Sequence, residues 1–439
     1  MEYLKRDIDR FLTDWVTESN RKPLLIRGAR QVGKSSAVRE LSKQFDFFVE
    51  LNFEEHRQIG VFFEGDLTPS VICENLSAYF NTLIIPGRTL LFFDEIQACP
   101  NAISSIRFFY EKYPELHLIA AGSLLEFALR NLPSFGVGRI RSIFMQPFSF
   151  NEFLVASGEE ALLQLIENSS AAKPMALPFH TKLTDLIKKF YLIGGMPEVV
   201  AHYVRHRDLL VCQQILEDLI ISFKSDFSKY HERVPELRLL EVLSSVVQQA
   251  GTKFVFSNIH SQSNHKQLKD ALDLLILAGL VIPVTHTSAN GLPLGAEINY
   301  KKRKMLVFDT GIFQRLSGLN FADILVTNEW SVVNKGAIAE QFVGLELLKS
   351  TSPFQRDECY YWHRESLNSN AEVDYVIAHN SIIYPIEVKS NTSGSMRSMN
   401  LFMKEKSSET GIRCSLENFA KYDKIRVYPL YAVKNIFLE

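Results

Sequence analysis

One short motif limits the fold of this 439-residue chain more than any other feature. Gly28-Ala29-Arg30-Gln31-Val32-Gly33-Lys34-Ser35 follows the apolar run "PLLIR" and opens the helical pattern "SSAVRELSKQF". Glycines at both ends of the spacer let backbone N–H groups turn inward around an anion. The helix that starts there points its positive end the same way. Lys34 is then placed to reach the β- and γ-phosphates of a nucleotide, and the Ser35 hydroxyl to ligate Mg2+. Ser36 closes the candidate cradle. A chance glycine turn is the plain alternative, but motif and setting agree, which favours the cradle.

A phosphate site that does chemistry needs acids beside it. "LLFFDEIQ" reads as a buried strand ending in Asp94-Glu95. Asp94 can hold the Mg2+ shell, and Glu95 is placed to polarise an attacking water. Capping of the following turn is the bland reading of the pair. "LHLIAAGS" ends in Ser123, which either senses the γ-phosphate or caps the next helix. Arg139 and Arg141 in "GVGRIRS" either stabilise charge on the transferred phosphate or sit as surface strand residues.

Before residue 146, short apolar runs alternate with helical stretches, the pattern of a parallel sheet covered on both faces. The sequence divides into four segments. Residues 1–145 read as an α/β nucleotide-binding domain and 146–231 as a helical region. Residues 232–328 follow a winged-helix order, with a hairpin whose tip "SANGLPLG" reads as loose. Residues 329–439 read as a smaller α/β domain: helix, three strands, helix, strand.

Net charge is −2, so a general polyanion-binding surface is not expected. The five cysteines are scattered with no CxxC pair, which fits reduced thiols in the cytoplasm and gives no zinc site. Leu4, Ile8, Phe11 and Trp15 fall at helical spacing in a charged N-terminal stretch, unlike a signal peptide. The run "LLILAGLVIPV" is too short to span a membrane.

Together these residues resemble the AAA-type P-loop ATPases. More closely, the chain resembles an uncharacterised prokaryotic family that joins such a domain to a C-terminal domain of the restriction-endonuclease-like superfamily. "GARQVGKS", "FFDEIQ", "GSLLEF", "GVGR", "PFSFNEF", "GGMPEVV", "VFDTGI", "GAIAEQFV", "AEVDYVI" and "PIEVKS" carry the resemblance in order. It implies ATP and Mg2+ as cofactors, and a sheet in which one strand separates the Asp94 strand from the P-loop strand. Ring assembly, frequent among AAA-type relatives, stays open.

The C-terminal segment holds its own set of acids. Residues i and i+2 of a strand share a face, so Glu387 pairs with Lys389 and Glu372 with Asp374. If those strands are neighbours, the carboxylates and the lysine converge, with Glu340 added from a helix. Such oxygen ligands suit a second Mg2+ or Mn2+. The set resembles the D…ExK site of restriction-endonuclease-like nucleases, with Asp374, Glu387 and Lys389 as its members. An exposed salt-bridged strand edge, or a binding scaffold that cuts nothing, is the alternative. His363 and Glu365 share a nearby strand face and read as surface residues.

In the middle segment, Asn264, His265, Lys266 and Gln267 open the candidate recognition helix, and "KKRK" at 301–304 could meet phosphates. A docking module with a solvated strand end is the other reading. Gly194 and Gly195 fit a tight turn; Asp226 and Asp309 carry no chemistry that sequence alone assigns. The leading expectation is an ATPase, with Lys34, Glu95, Ser123 and Arg139 as catalytic residues, coupling hydrolysis to work or switching on nucleic acid. The alternatives are a nucleotide switch whose silent C-terminal domain binds a protein, and an ATP-gated nuclease.

Overall fold

The computed structural model describes residues 3–123, 125–131, 138–227, 234–261, 263–327, 335–355, 358–364, 370–392 and 394–438. The chain divides into two compact units. The first comprises residues 1–146 with 277–279 and 352–356, and the second the remainder.

The first unit runs α1 (Asp7–Thr17), β1 (Leu24–Arg27), α2 (Lys34–Ser42), β2 (Phe47–Asn52), α3 (Pro69–Phe80), β3 (Thr89–Asp94), α4 (Pro100–Lys112), β4 (His117–Ala121), α5 (Leu125–Asn131) and β5 (Arg141–Phe144). The strands form one parallel sheet in the order β2-β3-β4-β1-β5. Every residue of β3 and β4 is buried, as continuous apolar strands between two helical layers require. Leu91 and Phe93 of β3 pack with Ile72 and Leu76 of α3 and Ile106 and Phe109 of α4. β4 separates β3 from β1, as the resemblance implies. Because all strands run the same way, the loops after β1, β3 and β4 leave the sheet at one edge. That edge collects the glycine loop, Asp94-Glu95 and Ser123, in the crevice where open α/β sheets bind ligands. In α1 the buried residues are Ile8, Leu12 and Trp15.

The second unit opens with helices α6 (Phe150–Ala156), α7 (Glu160–Glu167), α8 (Leu177–Ile193), α9 (Pro197–His206), α10 (Leu209–Asp226), α11 (Glu236–Gln248) and α12 (His265–Leu277). Hairpin strands β6 (Val281–Thr287) and β7 (Ile298–Val307) follow, then α13 (Thr310–Leu316), α14 (Phe321–Thr327) and α15 (Lys335–Lys349). The rest is β8 (Cys359–His363), β9 (Glu372–His379), β10 (Ile382–Val388), α16 (Arg397–Lys406), β11 (Gly411–Ser415), β12 (Ala420–Tyr422) and β13 (Ile425–Pro429). The strands form one sheet, β12-β13-β11-β10-β9-β8-β6-β7. β6 pairs in parallel with β8, so the hairpin of the middle segment extends the C-terminal sheet. β11 and β12 were not anticipated from the sequence; β11 has all five residues buried.

The hairpin tip is not loose. Ala289 and Leu294 are buried against Trp362, Val373 and Phe402, and the Thr287 hydroxyl donates to the Leu294 carbonyl at 2.8 Å. Apolar side chains in the tip cover the face of the C-terminal sheet, which fixes a loop that composition alone marks as free.

Gly194 and Gly195 make a close approach that a side chain would block. Gly194 has φ +68°, and a Cβ there would lie 2.2 Å from the Asp309 Oδ1. A Cβ on Gly195 would lie 2.2 Å from the Phe148 carbonyl oxygen. The fully enclosed Asp309 carboxylate accepts from the Gly195 N–H at 2.6 Å and from the Ile312 N–H at 3.0 Å, capping α13. Asp309 is therefore a clamp between α8 and α13. Asp226 is buried at the end of α10. No described helix is long and apolar enough to cross a membrane.

Candidate functional site

The glycine loop needs its glycines. Gly28 has φ +138°, and a Cβ there would stand 2.2 Å from the Met145 carbonyl oxygen. Gly33 has φ +100° at the N-cap of α2, and Gln31 also takes a left-handed conformation. No side chain caps α2, so its first N–H groups are left for an anion. Lys34 is 7% exposed and donates to the Gly28 and Ala29 carbonyls at 3.1 and 2.8 Å. Burial lowers its pKa to about 8, against the opposing pull of Glu95 and Asp94.

Ser35 and Asp94 meet: the Ser35 hydroxyl donates to Asp94 Oδ2 at 2.7 Å. Burial raises the Asp94 carboxyl above its ordinary value, while the bond from Ser35 works the other way. A hydroxyl and a carboxylate side by side form a hard-oxygen donor pair that fits Mg2+. Glu95 takes the left-handed conformation, φ +47° and ψ +44°. Its Oε2 accepts from Gln97 Nε2 at 2.6 Å, from the Ser123 hydroxyl at 3.2 Å and from the Ser123 N–H at 3.4 Å. Gln97 in turn packs on Gly122, where a Cβ would stand 2.1 Å from its Oε1. The structure thus brings Lys34, Ser35, Asp94, Glu95 and Ser123 to one sheet edge, and adds Gln97, which sequence reading missed. Its signal was its place two residues beyond Glu95.

The second unit gathers the other acids. β9 and β10 are antiparallel neighbours. Glu340 on α15 and Glu372 and Asp374 on β9 turn toward Lys304 of β7, not toward Lys389. The Lys304 Nζ lies 2.8 Å from Glu340 Oε1, 2.5 Å from Glu372 Oε1 and 3.7 Å from Asp374 Oδ1. Asp374 Oδ2 accepts from the Val388 N–H at 2.8 Å. Glu387 Oε1 takes a bond from Lys389 at 2.6 Å, and its buried Oε2 meets no hydrogen-bond partner among the described residues. Burial works to lower the Lys304 pKa, but Glu340, Asp374 and Glu372 together outweigh it and raise it. Burial also raises Glu340 in spite of Lys304, and raises Glu387, with the Asp374 charge adding to the effect. More carboxyls than ammonium groups share this enclosed space, so both directions hold at once.

These positions correct the reading of "KKRK". Lys301 is exposed and Lys302 and Arg303 are half-buried, but Lys304 is 1% exposed and belongs neither to a solvated strand end nor to a phosphate-binding face. Its signal was its place directly before the apolar run "MLVF". Among the described residues, no three His, Cys, Asp or Glu side chains are arranged to hold a metal ion.

Comparison with known proteins decides the nature of the first site. Residues 20–154 match the model of a family described as an AAA domain. This segment is an AAA domain. Residues 184–323 and 335–433 match two further models, each described as a domain of unknown function (DUF8612 and DUF4143). Among solved structures, the Walker-type ATPase of Pyrococcus abyssi is similar at 14% identity, over 72% of this chain and 96% of that one, with a TM-score of 0.46. The Aeropyrum pernix ORC1 protein in complex with DNA follows at 12% identity, 72% and 92% coverage, and a TM-score of 0.28. Drosophila ORC bound to DNA shows 14% identity, 71% and 85% coverage, and a TM-score of 0.24. No curated protein matches the chain.

The remaining candidates of the AAA domain take structural partners. Arg139 is half exposed and ion-paired with Glu111. Arg141 holds Glu18 through two bonds, at 2.5 and 2.7 Å. Arg6, which the sequence did not single out, is buried and donates to the Val32 carbonyl at 3.1 Å and the Gln146 carbonyl at 2.7 Å, bracing the glycine loop from behind. In the second unit, Asn264 accepts from the Gln267 N–H at 3.0 Å at the start of α12, and the His265 ring lies against Phe256. Lys266 and Gln267 are exposed. His363 is half-buried, its carbonyl 3.1 Å from His286 Nε2; Glu365 lies outside the described residues.

Proposed function

We propose that this chain is a Mg2+-dependent ATPase whose nucleotide state governs what its second unit binds. The observation that carries the reading is Glu95 held by Ser123 and Gln97, next to Asp94 on Ser35. Glu95 would orient and polarise the attacking water, and Ser123 would fix the Glu95 carboxylate. Lys34 would leave its loop carbonyls for phosphate oxygens, exchanging two neutral acceptors for charged ones. Bound through Ser35 and Asp94, Mg2+ would neutralise charge on the β- and γ-phosphates. The deciding experiment is phosphate release from Mg-ATP by the parent and by a Glu95→Gln protein.

Lys34 gives this reading a pH signature. Its pKa near 8 in the free protein must rise when phosphates surround it. The bound form then holds the proton more tightly, so loss of protons favours release. ATP binding should take up a proton near and above that pH, and affinity should fall by up to about tenfold per pH unit beyond it. Calorimetry in buffers of different ionisation enthalpy reads both effects. Flat affinity from about pH 7 to about pH 9.5, with no proton uptake, would contradict this role for Lys34.

For the task, nucleic acid is the reading we favour. The exposed His265, Lys266 and Gln267 at the start of α12, with Lys301 on β7, offer the polar and basic groups that winged-helix modules use on DNA. Labelled duplex DNA should then bind with an affinity that falls steeply with salt, as fluorescence anisotropy would show. No binding at low salt would instead favour a nucleotide switch whose C-terminal module, restriction-endonuclease-like in its neighbouring Asp374 and Glu387 strands, binds protein and cuts nothing. The three carboxylates around Lys304 favour a silent C-terminal module over an ATP-gated nuclease with a second Mg2+ or Mn2+.

A further inference from the structure

A nuclease-type carboxylate cluster works by converging on a divalent cation. Here the convergence exists, but its centre is a side chain of the protein. Glu340 comes from α15, Glu372 and Asp374 from β9, and all three lie within 3.7 Å of the Lys304 ammonium. The lysine is held in register by its strand, where Lys304 stands opposite Val284 of β6. Its Nζ also lies 5.4 Å from the centre of the Tyr361 ring, a face that attracts cations. With 1% exposure, the side chain is shut away from water. The fourth carboxylate, Glu387, is bonded to a second ammonium, Lys389, at 2.6 Å. The acids are thus divided between two lysines, and a divalent ion at the same oxygens would meet a buried like charge at close range.

We propose that Lys304 is the resident cation of this cluster: its ammonium takes the place of a divalent metal, so the second unit carries no catalytic metal while the lysine is present. The acids that sequence reading assigns to a nuclease-like centre then serve to join β7, α15 and β9. One substitution, Lys304→Met, should convert the cluster into a metal site. It keeps most of the side-chain length and removes the charge, so that three carboxylates which Lys304 now holds too far apart to ligate a metal ion can close on one.

The test is a Mn2+ titration of the full chain without nucleotide, with free Mn2+ followed by electron paramagnetic resonance. An Asp94→Asn background silences the AAA site. The protein with Lys304 should bind no Mn2+ that Asp374→Asn removes. Lys304→Met should gain one equivalent per chain, lost again when Asp374→Asn is added, and Mn2+ should raise the melting temperature of the Lys304→Met protein only. A Mn2+ site in the Lys304 protein that Asp374→Asn abolishes would overturn the proposal, and so would a folded Lys304→Met protein that gains none. If Lys304→Met does not fold, the Lys304 protein decides alone: Asp374-dependent Mn2+ binding overturns the proposal, and its absence supports it. No arm depends on ATP turnover, so the ATPase reading and this one fail separately.

Discussion

A Lys34→Ala protein should hydrolyse ATP at least about 100-fold more slowly than the parent, the scale on which removing a preorganised charge-stabilising donor acts. The amine already sits among the loop carbonyls, 2.8 Å from Ala29 and 3.1 Å from Gly28. Those carbonyls belong to the loop that would cradle the phosphates, so the charge is already held at the site it would stabilise. Its loss should weaken ATP binding as well, because the same charge faces the ground-state phosphates. Folding should survive. Burial disfavours the Lys34 charge in the free protein, and truncation removes that cost together with two hydrogen bonds. Phosphate release and a thermal melt on the same sample separate the two effects: a slow but normally folded protein is the expected result.

Asp309→Ala should destabilise the second unit by about 3–5 kcal/mol. The estimate counts two buried N–H groups left without acceptors, at about 1–3 kcal/mol each, one of them the bond that caps α13. Those groups are the Gly195 and Ile312 amides, each served by a different carboxylate oxygen. Asp309→Asn keeps one acceptor and presents a donor to the other amide, so its loss should fall between the parent and Asp309→Ala. Gly194 cannot relax toward the gap, because its left-handed backbone and the nearby Gly311 amide fix its place. Denaturant melts of the three proteins read the order directly; equal midpoints would remove the clamp.

Local chemistry was legible in the sequence and assembled chemistry was not. The glycine loop, Asp94-Glu95 and Ser123 each lie at the end of an apolar strand. A parallel sheet then puts strand ends together without further information. Asp309 drew no role from the sequence, and one of its two bonds, to Gly195, joins residues 114 positions apart. Lys304 was hidden for a different reason. Counting it among four adjacent basic residues grouped it with solvent-facing neighbours, whereas its partners come from α15 and β9. β11 was missed because its alternation, Ile412-Arg413-Cys414-Ser415, is only four residues long, and burial of Arg413 and Ser415 depends on neighbours from elsewhere in the chain. The tip of the β6–β7 hairpin misled for the same reason as Lys304: its partners, Trp362 and Phe402, lie far along the chain.

The central claim is that Glu95 drives hydrolysis at a Mg-ATP site built by Lys34, Ser35 and Asp94. Its most direct test measures phosphate release and ATP affinity together for the parent and for Glu95→Gln. The parent should release phosphate in a Mg2+-dependent way. The Glu95→Gln protein should bind ATP about as tightly but turn it over at least about 100-fold more slowly. Equal turnover by the two proteins would contradict the claim.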